Sequence, residues 1–302
     1  MYYGLLGLAG KVSAPSFTGI LDTYTGAAVA YSAARRLSSS YTGALIRVRR
    51  SSDNTEQDIG YNGSNVLDES ALTSFVGANN GLVTKLYDQS GNGQDLSQSI
   101  AEWQPTIVSS GTIVKRLSKP ALDFGFNNTV TSNLLNSTIS FNATDITVIG
   151  LGSKKSSSAS SYTYSRLYSL SGSGNDYDNS NSLLSFIAQT SFGGFNPVLS
   201  TFANNGGAYK SYTYDSNTLF WSQKIAGSPA NLYIGKNGDT LTSASTSSGN
   251  ITSTKLAIGG TTNRSVDSFL NGYITEFIIY TNNQTSNRTG IEGNINTFYS
   301  IY

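Results

Sequence analysis

Apolar residues along this chain recur mostly in short runs with a period of two, the pattern of half-buried strands. Between Leu45 and Arg49, the side chains of Leu45, Ile46 and Val48 can face a core while Arg47 and Arg49 face water. Further strands are predicted at Leu82–Tyr87, Ile146–Leu151, Leu183–Ala188, Leu219–Ile225, Leu232–Gly235, Lys255–Ile258 and Gly272–Tyr280. Asn237-Gly238, set between Leu232-Tyr233-Ile234 and Thr240-Leu241, is a strong hairpin signal. Helical spacing is rare. The Ala-rich stretch near 27–36 reads as a helix, and Asp68 caps a second over 69–76, where Leu72, Phe75 and Val76 share a face and Gly77 stops it. A third is predicted over 287–299, since Ile291, Ile295, Phe298 and Tyr302 fall on one helical face. The Ser-Lys-Lys-Ser-Ser-Ser-Ala-Ser-Ser-Tyr patch at 153–162 reads as a loop. The fold class is therefore all-β, two antiparallel sheets packed face to face with a few short helices.

Composition adds bounds. With 302 residues the chain can bury a full core as one large β domain. Nineteen Tyr and thirteen Phe argue against disorder, and 31 Gly with only five Pro suit many strands joined by tight turns. A charged fraction of 12% and a net charge of +1 exclude the electrostatic footprint of a nucleic-acid partner or an anionic membrane surface. No stretch approaches the roughly 20 apolar residues of a membrane span, so no membrane insertion is expected. Without Cys there are no disulfides and no thiolate chemistry; without His there is no Ser-His-Asp triad and no His metal site. Met1–Gly10 is apolar but has no basic start, so no secretory signal is expected. Residues 1–20 read as an N-terminal anchor or attachment segment, since Tyr2, Tyr3, Leu5, Leu6 and Leu8 are costly to leave in water. Residues 21–302 read as the sandwich domain.

Two runs carry a resemblance. AAVAYSAARRLSSSYTGALIRVRRSSD at 27–53 and YDQSGNG at 87–93 resemble the catalytic domain of family 54 α-L-arabinofuranosidases, a concanavalin A-like (LamG-like) jelly-roll sandwich. The same module is similar to one found in structural proteins of bacterial viruses. The family's nucleophile is a Glu followed by two Asn, and the nearest run here, Phe202-Ala203-Asn204-Asn205, puts Ala203 at that place. Its acid/base is an Asp after Ile-Gly-Gly; here Ile258-Gly259-Gly260 is followed by Thr261. A retaining glycosidase needs two carboxyl groups about 5 Å apart. The resemblance thus implies that both catalytic carboxylates are replaced, and no catalytic residue is assigned.

Other side chains offer weaker candidates. Glu276 reads as a solvated strand position, and Asp88 as the cap of its own turn. Asp176 and Asp178 sit in a polar loop and offer oxygen ligands of the kind calcium takes; beyond that no cofactor and no metal is expected. Arg35, Arg36, Arg47, Arg49 and Arg50 either pair locally with Asp53, Glu56 and Asp58 or form a basic groove for an acidic glycan. Sugars stack on aromatic rings, so Tyr209, Tyr212, Tyr214, Trp221 and Trp103 are candidate glycan contacts, each with core packing as its alternative.

The resemblance and the missing carboxylates together favour a non-enzymatic bacteriophage virion protein: a fibre, spike or decoration subunit with a lectin-like domain for host-surface glycans. It would assemble in the bacterial cytoplasm as a homotrimer and join other virion proteins through the N-terminal segment. The alternatives are an arabinofuranosidase-like glycoside hydrolase and a bacterial surface lectin.

Overall fold

The computed structural model describes all residues except 1–16, 126–131, 137, 156–163, 173–181, 189–196, 204–205 and 263–268. The N-terminal third contributes β1 (Ala27–Ser32), β2 (Ile46–Arg50), β3 (Glu56–Ile59), β4 (Gly81–Leu86), β5 (Leu96–Ser97), β6 (Thr106–Ser109), β7 (Thr112–Ile113), β8 (Lys115–Arg116), β9 (Lys119–Pro120) and β10 (Leu122–Asp123). The middle third holds β11 (Leu134–Asn136), β12 (Phe141–Ala143), β13 (Ile146–Lys154), β14 (Tyr164–Ser171), β15 (Leu183–Ala188), β16 (Val198–Ala203) and β17 (Gly206–Ser211). The last third holds β18 (Thr218–Ile225), β19 (Ala230–Lys236), β20 (Thr242–Thr246), β21 (Ile251–Ser253), β22 (Lys255–Ile258) and β23 (Gly272–Tyr280). Three α-helices are described: α1 (Ile20–Thr23), α2 (Glu69–Val76) and α3 (Arg288–Tyr299).

One layer runs β20-β19-β18-β13-β23-β1 and the other β17-β16-β15-β14-β22-β11. All of these pairings are antiparallel. The first third of the chain stitches the layers together: β10 pairs with β23 and β6, β6 with β4, β4 with β5, and β5 with β11. Between the layers lies the main core, where Tyr168 stacks on Phe220 at 6.1 Å and tilts against Phe277 at 5.4 Å. Such pairs exceed the value of their buried area alone. Gly150 in β13 makes room for the Phe220 ring, which a Cβ would meet at 2.3 Å.

A second cluster covers the outer face of the first layer. Ile291, Ile295 and Tyr299 of α3 pack there on Ile149, Leu151, Trp221 and Tyr280, with Ile20 and Leu21 of α1. The α3 face follows the predicted helical spacing except at Tyr302, which lies beyond the helix and is 55% exposed. The α2 helix starts and stops as predicted: Asp68 accepts from the Ala71 amide, and Gly77 holds φ of +61°. In the predicted hairpin turn, Asn237 and Gly238 both have positive φ, which suits strand twist.

Two local expectations change. The Ala-rich run at 27–36 is strand β1, not a helix, and pairs with β23 through Ala27–Ser32. Val29 and Tyr31 enter the main core while Ala27 and Ala30 enter the outer cluster, so both faces are buried and no alternation survives in the sequence. Ser153 and Lys154 of the 153–162 patch belong to β13 and are buried; 156–162 lies outside the described residues, as does most of the 1–20 segment. Ile20, however, is core.

Candidate functional site

The Asp88–Gly93 turn is a clasp on β1. Asp88 Oδ1 accepts from the amides of Ala30 and Ser90 at 2.9 Å each, while Oδ2 accepts from Ser90 Oγ at 2.8 Å and the Gln94 amide at 3.0 Å. Asn92 Nδ2 donates to the carbonyls of Ala27 and Ala28. Gln89 Oε1 accepts from the Leu37 amide at 2.7 Å, and its Nε2 donates to the Arg35 carbonyl at 3.2 Å. The capping role read from the sequence for Asp88 holds, but its reach to Ala30, 58 residues away, has no local signal.

Beside this clasp opens a cleft of about 630 Å³ between Ser90, Asn92 and Gln94 on one side and Thr138–Asn142 on the other, with Gly26–Ala28 and Thr281 completing it. Its described lining carries hydroxyls and amides but no carboxylate and no cation. Such a surface can bind a neutral polyhydroxylated ligand by hydrogen bonds; it offers no general acid or base.

The residues singled out in the sequence do not converge. Trp221 is fully buried in the outer cluster, its Nε1 donating to Gln223 Oε1 at 3.2 Å, and so presents no face to a sugar. Tyr212 is 5% exposed, and its hydroxyl accepts from the Lys154 amide at 2.7 Å. Tyr214 meets Tyr212 edge-on at 6.2 Å against the main core, whereas Tyr209 packs on Phe202 at 5.6 Å in a separate small cluster with Leu184 and Phe186. The expected Tyr209–Tyr214 surface is thus divided. Trp103 is half-buried in a short turn, Ala101–Trp103, far along the chain from that segment.

Ala203 ends β16 and points into the main core. Thr261 follows β22 and is buried beside Asn133, whose Nδ2 lies 3.5 Å from its carbonyl oxygen. With β14 and β15 between β22 and β16, three strand spacings, on the order of 14 Å, separate the two strands, and Thr261 lies five residues past Leu256, which is level with Ala203. The about 5 Å of a retaining pair is not met there. Asp176 and Asp178 lie outside the described residues. Among those described, no group of three or more metal-ligating acids comes together.

Glu276 corrects its reading as a solvated position. It is 2% exposed and accepts from Arg35 Nε and Nη2 at 2.8 Å each and from Tyr299 Oη at 3.0 Å. Local pairing accounts for Arg47, on Asp58 at 2.7 Å, and for Arg50, on Asp53 at 2.6 Å. Arg49 binds Gln104 and Asn54, and Arg36 binds Asn65.

Residues 21–123 match the family model described as Alpha-L-arabinofuranosidase B, catalytic. The chain is 41% identical over 99 residues to Alpha-L-arabinofuranosidase B of Aspergillus niger, covering 31% of this chain and 19% of the relative. It is 37% identical over 97 residues to the Alpha-L-arabinofuranosidase of Hypocrea jecorina, covering 30% and 19%. Among solved structures, a glutamate-to-glutamine variant of a GH54 α-L-arabinofuranosidase soaked with 4-nitrophenyl α-L-arabinofuranoside superposes with a TM-score of 0.67 at 15% identity. That superposition covers 91% of this chain and 64% of the other. An arabinofuranosidase complexed with arabinofuranosyl-α-1,2-xylobiose gives 0.63 at 16% identity, over 91% and 64%. The fold is that of the family 54 arabinofuranosidases.

The matched part spans about a fifth of the length of these curated relatives, and positions 203 and 261 lie outside the 21–123 stretch that the family model matches. The expectation of a bacteriophage virion subunit is overturned, because the relatives found are fungal arabinofuranosidases. With it go the virion location, the virion partners and the homotrimer. The features that led there, no Cys, no His and no basic start, are absences that many proteins share. No described helix is long and apolar enough to cross a membrane.

Proposed function

We propose that this chain acts on α-L-arabinofuranosyl groups as a glycoside hydrolase. The observation that carries the reading is the match of residues 21–123 to the arabinofuranosidase catalytic domain, supported by the shared fold over 91% of the chain. The chemistry requires two carboxyl groups flanking the glycosidic bond, one to protonate the leaving oxygen and one to attack the sugar or activate water. Glu276 is spent on Arg35 and Tyr299, and Asp88 on four hydrogen bonds of the clasp, so neither is free to serve. The acids read from the sequence that remain are Asp176 and Asp178.

The test is release of 4-nitrophenol from 4-nitrophenyl α-L-arabinofuranoside by the full chain. Release is expected, with a loss of at least about 100-fold in Asp176→Asn or Asp178→Asn. Binding of the arabinofuranoside without any release would overturn hydrolysis and leave glycan recognition alone.

A further inference from the structure

The cleft beside the clasp takes no part in the hydrolysis proposed above, since its described lining holds no carboxylate. Its polar groups are nevertheless held in place from behind. On one wall, Asn92 Nδ2 donates to the carbonyls of Ala27 and Ala28 at 3.1 and 3.0 Å and to Ser90 Oγ at 3.1 Å. Backbone carbonyls only accept, so the nitrogen must face β1 and Oδ1 is the end left over. That oxygen has no hydrogen-bond partner among the described residues. On the facing wall, Asn142 Oδ1 accepts from Asn250 Nδ2 at 2.7 Å, which leaves the Asn142 Nδ2 donors unspent. The hydroxyls of Ser140 and Thr281 also line the cleft, are exposed, and bond no described residue.

These groups set the ligand's class. They are an amide acceptor, an amide donor and two hydroxyls that can do either, with no charge among them. An ion entering the cleft would give up water and meet no counter-charge. A purely apolar ligand would strip water from all four groups and return no hydrogen bond. An extended peptide would bind by adding to the edge of β1, but Asn92 and Ser90 already occupy the Ala27 and Ala28 carbonyls there. A chain of uncharged sugars donates and accepts through every hydroxyl, and so matches the set. At about 630 Å³ the cleft falls within the size range of small-ligand pockets, roughly 300–1,000 Å³. Asn92 and Asn142 are tethered before any ligand arrives, so binding costs them little side-chain freedom.

We infer that the clasp cleft is a binding site for a neutral oligosaccharide, gripped through its hydroxyls by groups that cannot cleave it. The site serves recognition, whether or not the chain also hydrolyses arabinofuranosides.

Amide chemical shifts of the isotope-labelled full chain, followed while xylotriose or maltotriose is added, test it. Shifts are expected at Ala28, Asn92 and Ser140 with at least one of the two sugars. The double variant Ser140→Leu with Thr281→Leu changes two exposed side chains whose hydroxyls bond no described residue, and should weaken that sugar at least about tenfold. Ser140→Thr, which keeps a hydroxyl, should retain binding. No shift with either sugar would overturn the inference. So would shifts confined to other parts of the chain, binding that the double variant leaves intact, or equal binding of an uncharged, end-capped peptide. Release of 4-nitrophenol from the arabinofuranoside is read separately: its absence would sink hydrolysis and leave this site standing.

Discussion

The buried Glu276–Arg35–Tyr299 cluster shows how far one residue's environment can depart from its sequence context. Alternation along Gly272–Tyr280 places Glu276 in water only if the strand has one wet face, and β23 has none: it is covered by the main core on one side and by α3 on the other. Glu276→Ala strands the Arg35 guanidinium in that interior and is expected to cost about 3–5 kcal/mol. Replacing the pair together, Arg35→Met with Glu276→Leu, should cost less than the single change, as read from urea unfolding. Lys154 carries a pH dependence of its own. Burial disfavours its charged form and lowers its pKa from 10.5 to about 8, while its Nζ donates to Ser165 Oγ at 2.9 Å. Between pH 8 and 10.5 the unfolded chain holds a proton the folded chain has released, so stability rises with pH across that window. The burial cost is fully present below pH 8 and amounts to roughly 3 kcal/mol. Lys154→Met should flatten the rise in unfolding free energy measured from pH 7 to 10.

Among the elements, the long strands with one continuous apolar run were legible, and so were α2 and α3 with their caps and apolar faces. The failure at β1 has a physical cause: Ala is small enough to be buried on both faces of a strand packed between two clusters, and the same Ala-rich composition favours a helix when no partner is considered. The partner that decides the matter is the Asp88–Gly93 clasp, which binds the edge of β1 that β23 leaves open. Asp88→Ala would leave the Ala30 and Gln94 amides without their acceptor and is expected to destabilise the fold by about 2–5 kcal/mol. The loss should appear as faster amide exchange along Ala27–Ser32. Asp88→Asn, which keeps one carbonyl acceptor, should cost less. The cleft beside the clasp was legible only in part. The Asp88–Gly93 run stood out in the sequence, but nothing there set Thr138–Asn142 opposite it.

At the scale of the molecule, the two layers share one hydrogen-bonded sheet and one main core that reaches from Val29 to Ile279. Neither layer has a separate interior to fall back on. Unfolding followed by far-ultraviolet and near-ultraviolet circular dichroism should therefore give coincident transitions, and a layer that melts first would contradict this architecture. Function was less legible than fold, because the aromatic residues that would mark a sugar platform are here largely consumed by packing, Trp221 and Tyr212 above all.

The stitching of the layers by β4, β5, β6 and β10 has a consequence for where the chain can be cut. These strands all lie within residues 21–123, the stretch that matches the family model. The part of the chain that matches the family model is thus the part that joins the sheets. A domain fastened this way is closed by its first third, so cutting the chain after Asp123 would separate the fastening from both of the layers it joins.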